Sequence, residues 1–503
     1  MTATIEVIPV ATLRAAANVL SHGGRYRLTA MFANDERAIN GCFAIYAVFA
    51  GKADRLIKTI KALIKQEDPP EFPSLTPLMA SAAWYEREIH DLFGLVPLGH
   101  PDLRRLVLHE NWPQGLYPLR KDFDPGAPVP NADSEYTMAP VQGKGVFEVP
   151  VGPIHAGIIE PGHFRFSQAG ENVINLEAKL FFTHRGIEKA VEGMSFGRAL
   201  YQAERICGAC SVANTLAFVQ AVETMTAVEI PVRAEYLRVL AAELERLYNH
   251  VGDIGNLCAG LGFAPGVSHG ARLKEQVMRL NERLAGNRFL RGWVTLGGVT
   301  MDITKDMIND IRRTLVRLTR DFNELLGLLR ENDAFLDRVN TTGILPQRAA
   351  TDLGVVGVAA RASGIDSDMR RDFPYAAYGR FDFEVPVYKK GDVAARLWVR
   401  ADEAGESLRI IDQILVGLPG GKLLVEVPPA PLYKAGCGYA ESPRGSVLHW
   451  LMAGENNTVY RYFSRSASYA NWPALTVAAP GNIIPDFPLI NKSFELCYAC
   501  LDR

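Results

Sequence analysis

Two C-x-x-C pairs constrain this chain more than any other feature: Cys207/Cys210 in R-I-C-G-A-C and Cys497/Cys500 in E-L-C-Y-A-C-L-D-R. Roughly 300 residues lie between them, whereas a zinc ribbon closes its second pair within roughly 15–20, so any shared site must be assembled by the fold. The first pair opens a helical pattern running from Cys207 to Thr224, which puts the i and i+3 sulfurs on one face. Four thiolates in two pairs make a soft tetrathiolate site that suits zinc, an Fe–S cluster or a nickel–iron centre. One such pair read alone is equally a redox dithiol or plain burial.

Seven cysteines in 503 residues are too few for a secreted disulfide scaffold, and the odd count leaves a free thiol. Cys42, Cys258 and Cys437 stand alone and read as packing residues. At this length two or three domains are expected. With 48% apolar and 22% charged residues the chain can bury a large core, and the net charge of −2 offers no bulk attraction to nucleic acid or anionic lipid. No run approaches the roughly 18 apolar residues of a membrane span, and the N-terminus lacks a basic segment followed by an apolar one. A soluble cytoplasmic protein is expected.

The patterning predicts an α+β fold. Residues 1–123 read as a mixed α/β unit, with β-rich stretches around Arg25–Phe32 and Cys42–Ala50 and a helical segment from Thr76 to about Phe93. From 124 to 145 the pattern lapses among Pro125, Pro128, Pro130 and Pro140, which marks a linker. The remainder, 146–503, opens β-like near Val146–Asn175 and becomes helical. Leu237, Leu240, Leu244 and Leu247 recur at helical spacing, as do Leu273, Val277, Leu280 and Leu284, and then Ile308, Ile311, Leu315, Leu318, Phe322 and Leu325. Short connections between such helices predict an antiparallel bundle with small peripheral sheets. Phe383–Tyr388 and Leu423–Pro428 are further strand candidates before a polar, glycine-bearing tail.

R-I-C-G-A-C with a terminal C-Y-A-C-L-D-R resembles the large subunit of [NiFe]-hydrogenases. V-G-P-I-H-A-G-I-I-E-P-G-H-F-R-F, F-F-T-H-R-G-I-E-K, E-S-P-R-G-S-V-L-H-W and S-Y-A-N-W-P are similar to segments of its group 4, complex I-related branch, the formate hydrogenlyase and hydrogenase-4 type. Y-E-R-E-I-H-D-L-F-G and G-H-P-D-L-R-R-L-V-L resemble the complex I hydrophilic subunit fused to that branch. The likeness covers nearly the whole chain.

The resemblance implies that Cys207, Cys210, Cys497 and Cys500 ligate nickel, with Cys210 and Cys500 bridging to an iron that carries CO and cyanide. It puts a proton-transfer glutamate at Glu160, an overhanging arginine at Arg444, and at Glu188 a residue tied to a structural magnesium or to subunit packing. Heterolysis of H2 needs a metal, a nearby base and a proton exit, which a terminal thiolate beside a carboxylate can supply. A permanently charged Arg444 can stabilise negative charge there. Read without the resemblance, Glu160 is a solvated loop carboxylate, and Arg444 and Glu188 are members of structural ion pairs. His155, His163 and His184, close to Gly and Pro, read as hydrogen-bonded structural residues.

Two departures fall beside the cysteines. Glu495-Leu496 stands where the family has Asp-Pro, and Asn214 where it places a histidine; an amide can hydrogen-bond a sulfur or cyanide but cannot take up a proton. Related large subunits are made with a C-terminal extension that is removed after a basic residue, so a chain ending at Arg503 reads as a processed or a tail-less form.

The leading expectation is the catalytic subunit of a membrane-associated hydrogenase that interconverts H2 with protons and electrons. Its expected partners are an Fe–S small subunit, other hydrophilic electron-transfer subunits and integral membrane antiporter-like subunits, which hold it on the cytoplasmic face of the inner membrane; nucleic acid is not among them. The alternatives are a complex I-like coupling or scaffold subunit, linked to quinone reduction, without hydrogenase activity and, more remotely, a thioredoxin-like dithiol enzyme.

Overall fold

The structure is a computed structural model that describes residues 4–65, 69–155 and 159–503. The N-terminal part builds a four-stranded sheet in which Thr4–Pro9 runs parallel to Leu56–Lys65, while Cys42–Gly51 and Arg27–Glu36 continue the sheet antiparallel. Ala30 to Glu36 are all buried, because the helix Ala83–Phe93 packs on one side of that strand and the C-terminal sheet on the other. A strand covered on both faces reads as a continuous apolar run rather than an alternation. The predicted helix from Thr76 begins only at Ala83, after a 3-10 turn at Ala80–Ala82; Pro77 disfavours helix for the residue before it.

No helix or strand lies between Leu98 and Val146 among the described residues, yet this stretch is pinned down. Asp91 accepts from the N–H groups of Leu106, Val107 and Leu108 at 2.8, 2.8 and 3.2 Å, and Ser134 donates to the Glu110 carbonyl at 2.6 Å.

Beyond it, Val146–Val151, His163–Ala169 and Asn172–Lys179 form an antiparallel sheet. The three periodic leucine sets lie on Val232–Ala259, Ala264–Ala285 and Lys305–Arg330, which pack as consecutive neighbours. Val393–Gly417, unread in the sequence, completes the bundle against the first of these. It is masked because buried Arg396, Arg400 and Glu403 interrupt its apolar stripe.

Two strand expectations fail. Residues 383–388 form no strand, and of 423–428 only Leu424 forms a bridge, to Gly298. The tail is not polar either. Ala435–Ser442, Gly445–Ala453 and Val459–Arg465 make a three-stranded antiparallel sheet whose central strand is wholly buried. The helix Ser211–Thr226 lies so close to it that a Cβ on Gly436 or Gly438 would sit 2.0 Å from the Ala221 or Ala217 carbonyl oxygen. The other face of this sheet meets the N-terminal one: the Phe32 ring is 4.9 Å from Trp450 and 4.4 Å from Phe463, and Tyr46 is 4.8 Å from Trp450. Arg461 and Arg465 donate across this contact to the Ala33 and Thr29 carbonyls at 3.2 and 3.1 Å.

Candidate metal centre

In each cysteine pair a backbone N–H meets the first sulfur. In the first pair, the Ala209 N–H donates to Cys207 Sγ at 3.2 Å, and Cys210 immediately precedes Ser211–Thr226 without a side-chain bond to it. The helix expected from Cys207 therefore begins four residues later, and the spacing of the pair is set by a turn. In the second, the Cys500 N–H donates to Cys497 Sγ at 3.3 Å, and Cys497 caps Tyr498–Asp502. Both arrangements aim backbone N–H groups at sulfur, which favours thiolate.

The fold brings these segments together. Sulfurs of Cys207, Cys210 and Cys500, all buried, lie within 4.8 Å of one another, and half-buried Cys497 interacts with Cys207 and Cys500. Hydrogen bonds from the neighbouring thiols hold Cys210 and Cys497 well below the usual thiol range, with a further contribution from the charge of Arg444; Cys207 and Cys500 are pushed up. Cys42, Cys258 and Cys437 lie outside the cluster.

Several side chains that the sequence reading missed hold this geometry. Arg185 donates to the Ile206 and Ala499 carbonyls at 2.8 and 2.7 Å, one residue before Cys207 and Cys500 respectively. Glu245 accepts from the Val212 and Ala213 N–H groups at 2.6 and 3.0 Å, which satisfies donors exposed at the start of the Cys210 helix. On the same helix Tyr248 donates to the Gly208 carbonyl at 3.3 Å and Asn249 to that of Ala209 at 2.8 Å. Glu245, Tyr248 and Asn249 are an i, i+3, i+4 set, a face that could have been noticed in E-L-E-R-L-Y-N-H.

Of the expected site residues, Arg444 is buried and donates to Cys210 Sγ at 3.9 Å, to Asn249 Oδ1 at 3.3 Å and to the Glu495 carbonyl. Glu495 adopts a left-handed φ of 53°; it accepts from Asn256 Nδ2 at 2.7 Å, and its carboxyl is pushed up to about 7 by burial and then by Asp253. Asn214 is buried one turn beyond Cys210, and its Nδ2 has no partner among the described residues. Glu160 is exposed; Tyr498 and Asp502, both pushed up first by burial, are raised further by its charge, but it makes no hydrogen bond or ion pair with the cysteines among the described residues. Ala156, Gly157 and Ile158 before it lie outside the described residues. Glu188 pairs with Arg461 at 2.8 Å and Arg503 at 3.1 Å. His155, His163 and His184 hydrogen-bond to nearby backbone groups of Pro153, Gly152 and Gly186.

The chain is 38% identical to formate hydrogenlyase subunit 5 of Escherichia coli (strain K12) over 95% of its own length and 84% of that protein's. It is 36% identical to hydrogenase-4 component G of the same strain, with the same coverage. The chain belongs to the complex I-related branch of the [NiFe]-hydrogenase large subunits. Its likeness to the carbon monoxide-induced hydrogenase of Rhodospirillum rubrum is 33%, over 71% of the chain and 99% of that protein. Within this branch the match is divided. "Nickel-dependent hydrogenase" covers residues 185–259, with Arg185, the first cysteine pair and Asn249. "Respiratory-chain NADH dehydrogenase, 49 Kd subunit" covers 261–435 and 428–503, with Arg444 and the second pair, and the corresponding "30 Kd subunit" covers 7–129. The site is thus assembled from both of the first two regions. The protein is an oxidoreductase, the catalytic large subunit of a membrane-associated hydrogenase with a nickel–iron cofactor.

Proposed function

We propose that Cys207, Cys210, Cys497 and Cys500 would hold, as thiolates, a nickel–iron group whose iron carries CO and cyanide, Cys210 and Cys500 serving the iron as well as the nickel. The observation that carries this is the three buried sulfurs within 4.8 Å, drawn from both ends of the catalytic region, with the fourth beside them. An all-sulfur donor set suits a soft metal. Bound there, the nickel–iron group would supply the oxidation of H2 to two protons and two electrons, and its reverse.

The surrounding side chains have separable tasks. Arg444, buried and directed at Cys210, supplies a fixed positive charge that favours the thiolate. Asn214 offers an unpartnered buried N–H donor of the kind that suits an acceptor on the bound group. Glu160, exposed beside the 498–502 helix, suits the outer end of a proton exit. A magnesium does not fit at Glu188, whose two oxygens are engaged by Arg461, Arg503 and the Ser464 N–H.

We further infer the division 1–123, 124–145 and 146–503 into assembly domain, linker and catalytic domain. A separate Fe–S small subunit takes the electrons, since four of the seven cysteines are assigned to one site. Other hydrophilic electron-transfer subunits and integral antiporter-like subunits hold the protein on the cytoplasmic face of the membrane. No helix among the described residues is long and apolar enough to cross one. Substitution of each cysteine by serine in the purified complex tests the ligand set. Each variant is expected to lose nickel and H2 turnover while the N-terminal part stays folded; full nickel content in any of them overturns that ligand. A complex I-like subunit without hydrogenase activity would keep its function in all four.

A further inference from the structure

We propose that Glu88, in the N-terminal part of the chain, is a positioning residue for the second cysteine pair, acting through Arg503, and that two guanidinium groups at Glu188 do the work of a divalent cation. The proposal deepens the metal-centre reading and rests on the assignment of Cys497 and Cys500 as ligands.

The helix Ala83–Phe93 carries three buried acids in Y-E-R-E-I-H-D-L-F-G, and two serve their own part of the chain. Glu86 accepts from the Ser74 and Thr76 hydroxyls at 2.6 and 2.7 Å, and Asp91 accepts from the 106–108 backbone. Glu88, two residues from Glu86, projects from a different face of the helix, and its carboxylate meets the Arg503 guanidinium.

Arg503 is 2% exposed. Besides Glu88 it pairs through Nε with Glu188 at 3.1 Å and donates to the Ser464 carbonyl; its guanidinium lies 5.0 Å from the Tyr469 ring centre and 5.4 Å from that of Phe463. Its backbone is tied to the site, since its N–H donates to Ala499 O at 3.2 Å and its own carbonyl accepts from the Arg185 N–H at 3.1 Å. Whatever holds the Arg503 side chain therefore holds the turn that presents Cys500.

Charge balance makes this contact specific. Glu88 and Glu188 face Arg461 and Arg503, two negative groups against two positive ones, all buried. A buried ion tolerates loss of its partner poorly, because the remaining charge is left desolvated and uncompensated. Neutralising Glu88 leaves two guanidinium groups on the single carboxylate of Glu188. The docked N-terminal part thus adds to the Arg185 contacts that seat the Cys500 turn.

The test uses the full chain in its complex, first prepared without nickel and then loaded. In Glu88→Gln, amide hydrogen exchange at residues 498–503 in the nickel-free protein is expected to accelerate by at least about tenfold, with Glu88→Asp restoring protection. In the loaded enzyme the infrared bands of the Fe-bound ligands are expected to shift in Glu88→Gln and return in Glu88→Asp. The double variant Glu88→Gln with Arg503→Gln restores the charge balance, which guards against simple misfolding, and is expected to exchange no faster than Arg503→Gln alone. Unchanged exchange in a folded Glu88→Gln protein, or fully additive effects in the double variant, overturns the proposal. Protection that depends on added magnesium or is lost to EDTA overturns the two-guanidinium part. The nickel-free exchange reads the Glu88–Arg503 link whether or not the cysteines bind metal, so it fails independently of the ligand assignment.

Discussion

The Arg185 guanidinium donates to the carbonyl of Ala499 at 2.7 Å, and the same nitrogen donates to Ile206 at 2.8 Å. Each acceptor immediately precedes a cysteine, so one side chain fixes the distance between the two pairs. Hydrogen bonds to a charged donor contribute roughly 1.5–3 kcal/mol, less where water competes. Arg185 is exposed in the isolated chain, which puts its contribution toward the low end.

Arg185→Ala is therefore expected to weaken metal retention by roughly 10–100-fold without unfolding the protein. Arg185→Lys, with one point charge in place of a fork, should fall between the two. Nickel content after dialysis against a chelator, compared with the thermal unfolding midpoint, checks this. An equal loss of midpoint and nickel would mean that Arg185 acts only on global stability.

Arg444 spans Cys210 Sγ, Asn249 Oδ1 and the Glu495 carbonyl, three acceptors that a lysine cannot reach together. Arg444→Lys should keep nickel and iron but lower kcat for H2 turnover by on the order of 100-fold, the usual scale for removing one preorganised electrostatic contact. Metal analysis alongside kcat separates this from simple loss of the site.

His449 is buried, with Nδ1 3.0 Å from the Tyr462 hydroxyl, and burial followed by the charges of Arg465 and Arg503 holds it down to about 3, from 6.5. Above pH 6.5 the imidazole is neutral whether the chain is folded or not, and it adds no pH dependence. Below that, the unfolded chain binds a proton that the folded protein refuses, so stability declines by up to about 1.4 kcal/mol per pH unit until about pH 3. Denaturant unfolding at pH 7.5 and about pH 5.5 should show wild type losing about 1.4 kcal/mol more than His449→Asn. Identical losses would show that His449 does not carry the effect.

The sequence made the cysteine pairs and the three periodic helices legible, because short-range spacing and a 3.6-residue stripe are local signals. It hid Gly445–Ala453 and Val393–Gly417. The strand is covered on both faces and loses alternation, and the helix turns Arg396, Arg400 and Glu403 inward, which breaks its stripe. Arg444 was found through its motif, whereas the roles of Arg185 and Glu245 rest on contacts to backbone atoms. Such contacts leave no trace in residue type at the other end. The resemblance ties Glu188 to a structural cation or to subunit packing and the bare residue to an ion pair; its partner charges are Arg461 and Arg503, the second of them distant in sequence.

The central claim is that four thiolates hold a nickel–iron group, and metal analysis with infrared spectroscopy of the purified complex tests it most directly. One nickel and one iron per chain beyond the Fe–S content, with CO and cyanide stretching bands, is the predicted result. Zinc alone, or no metal with no such bands, contradicts it.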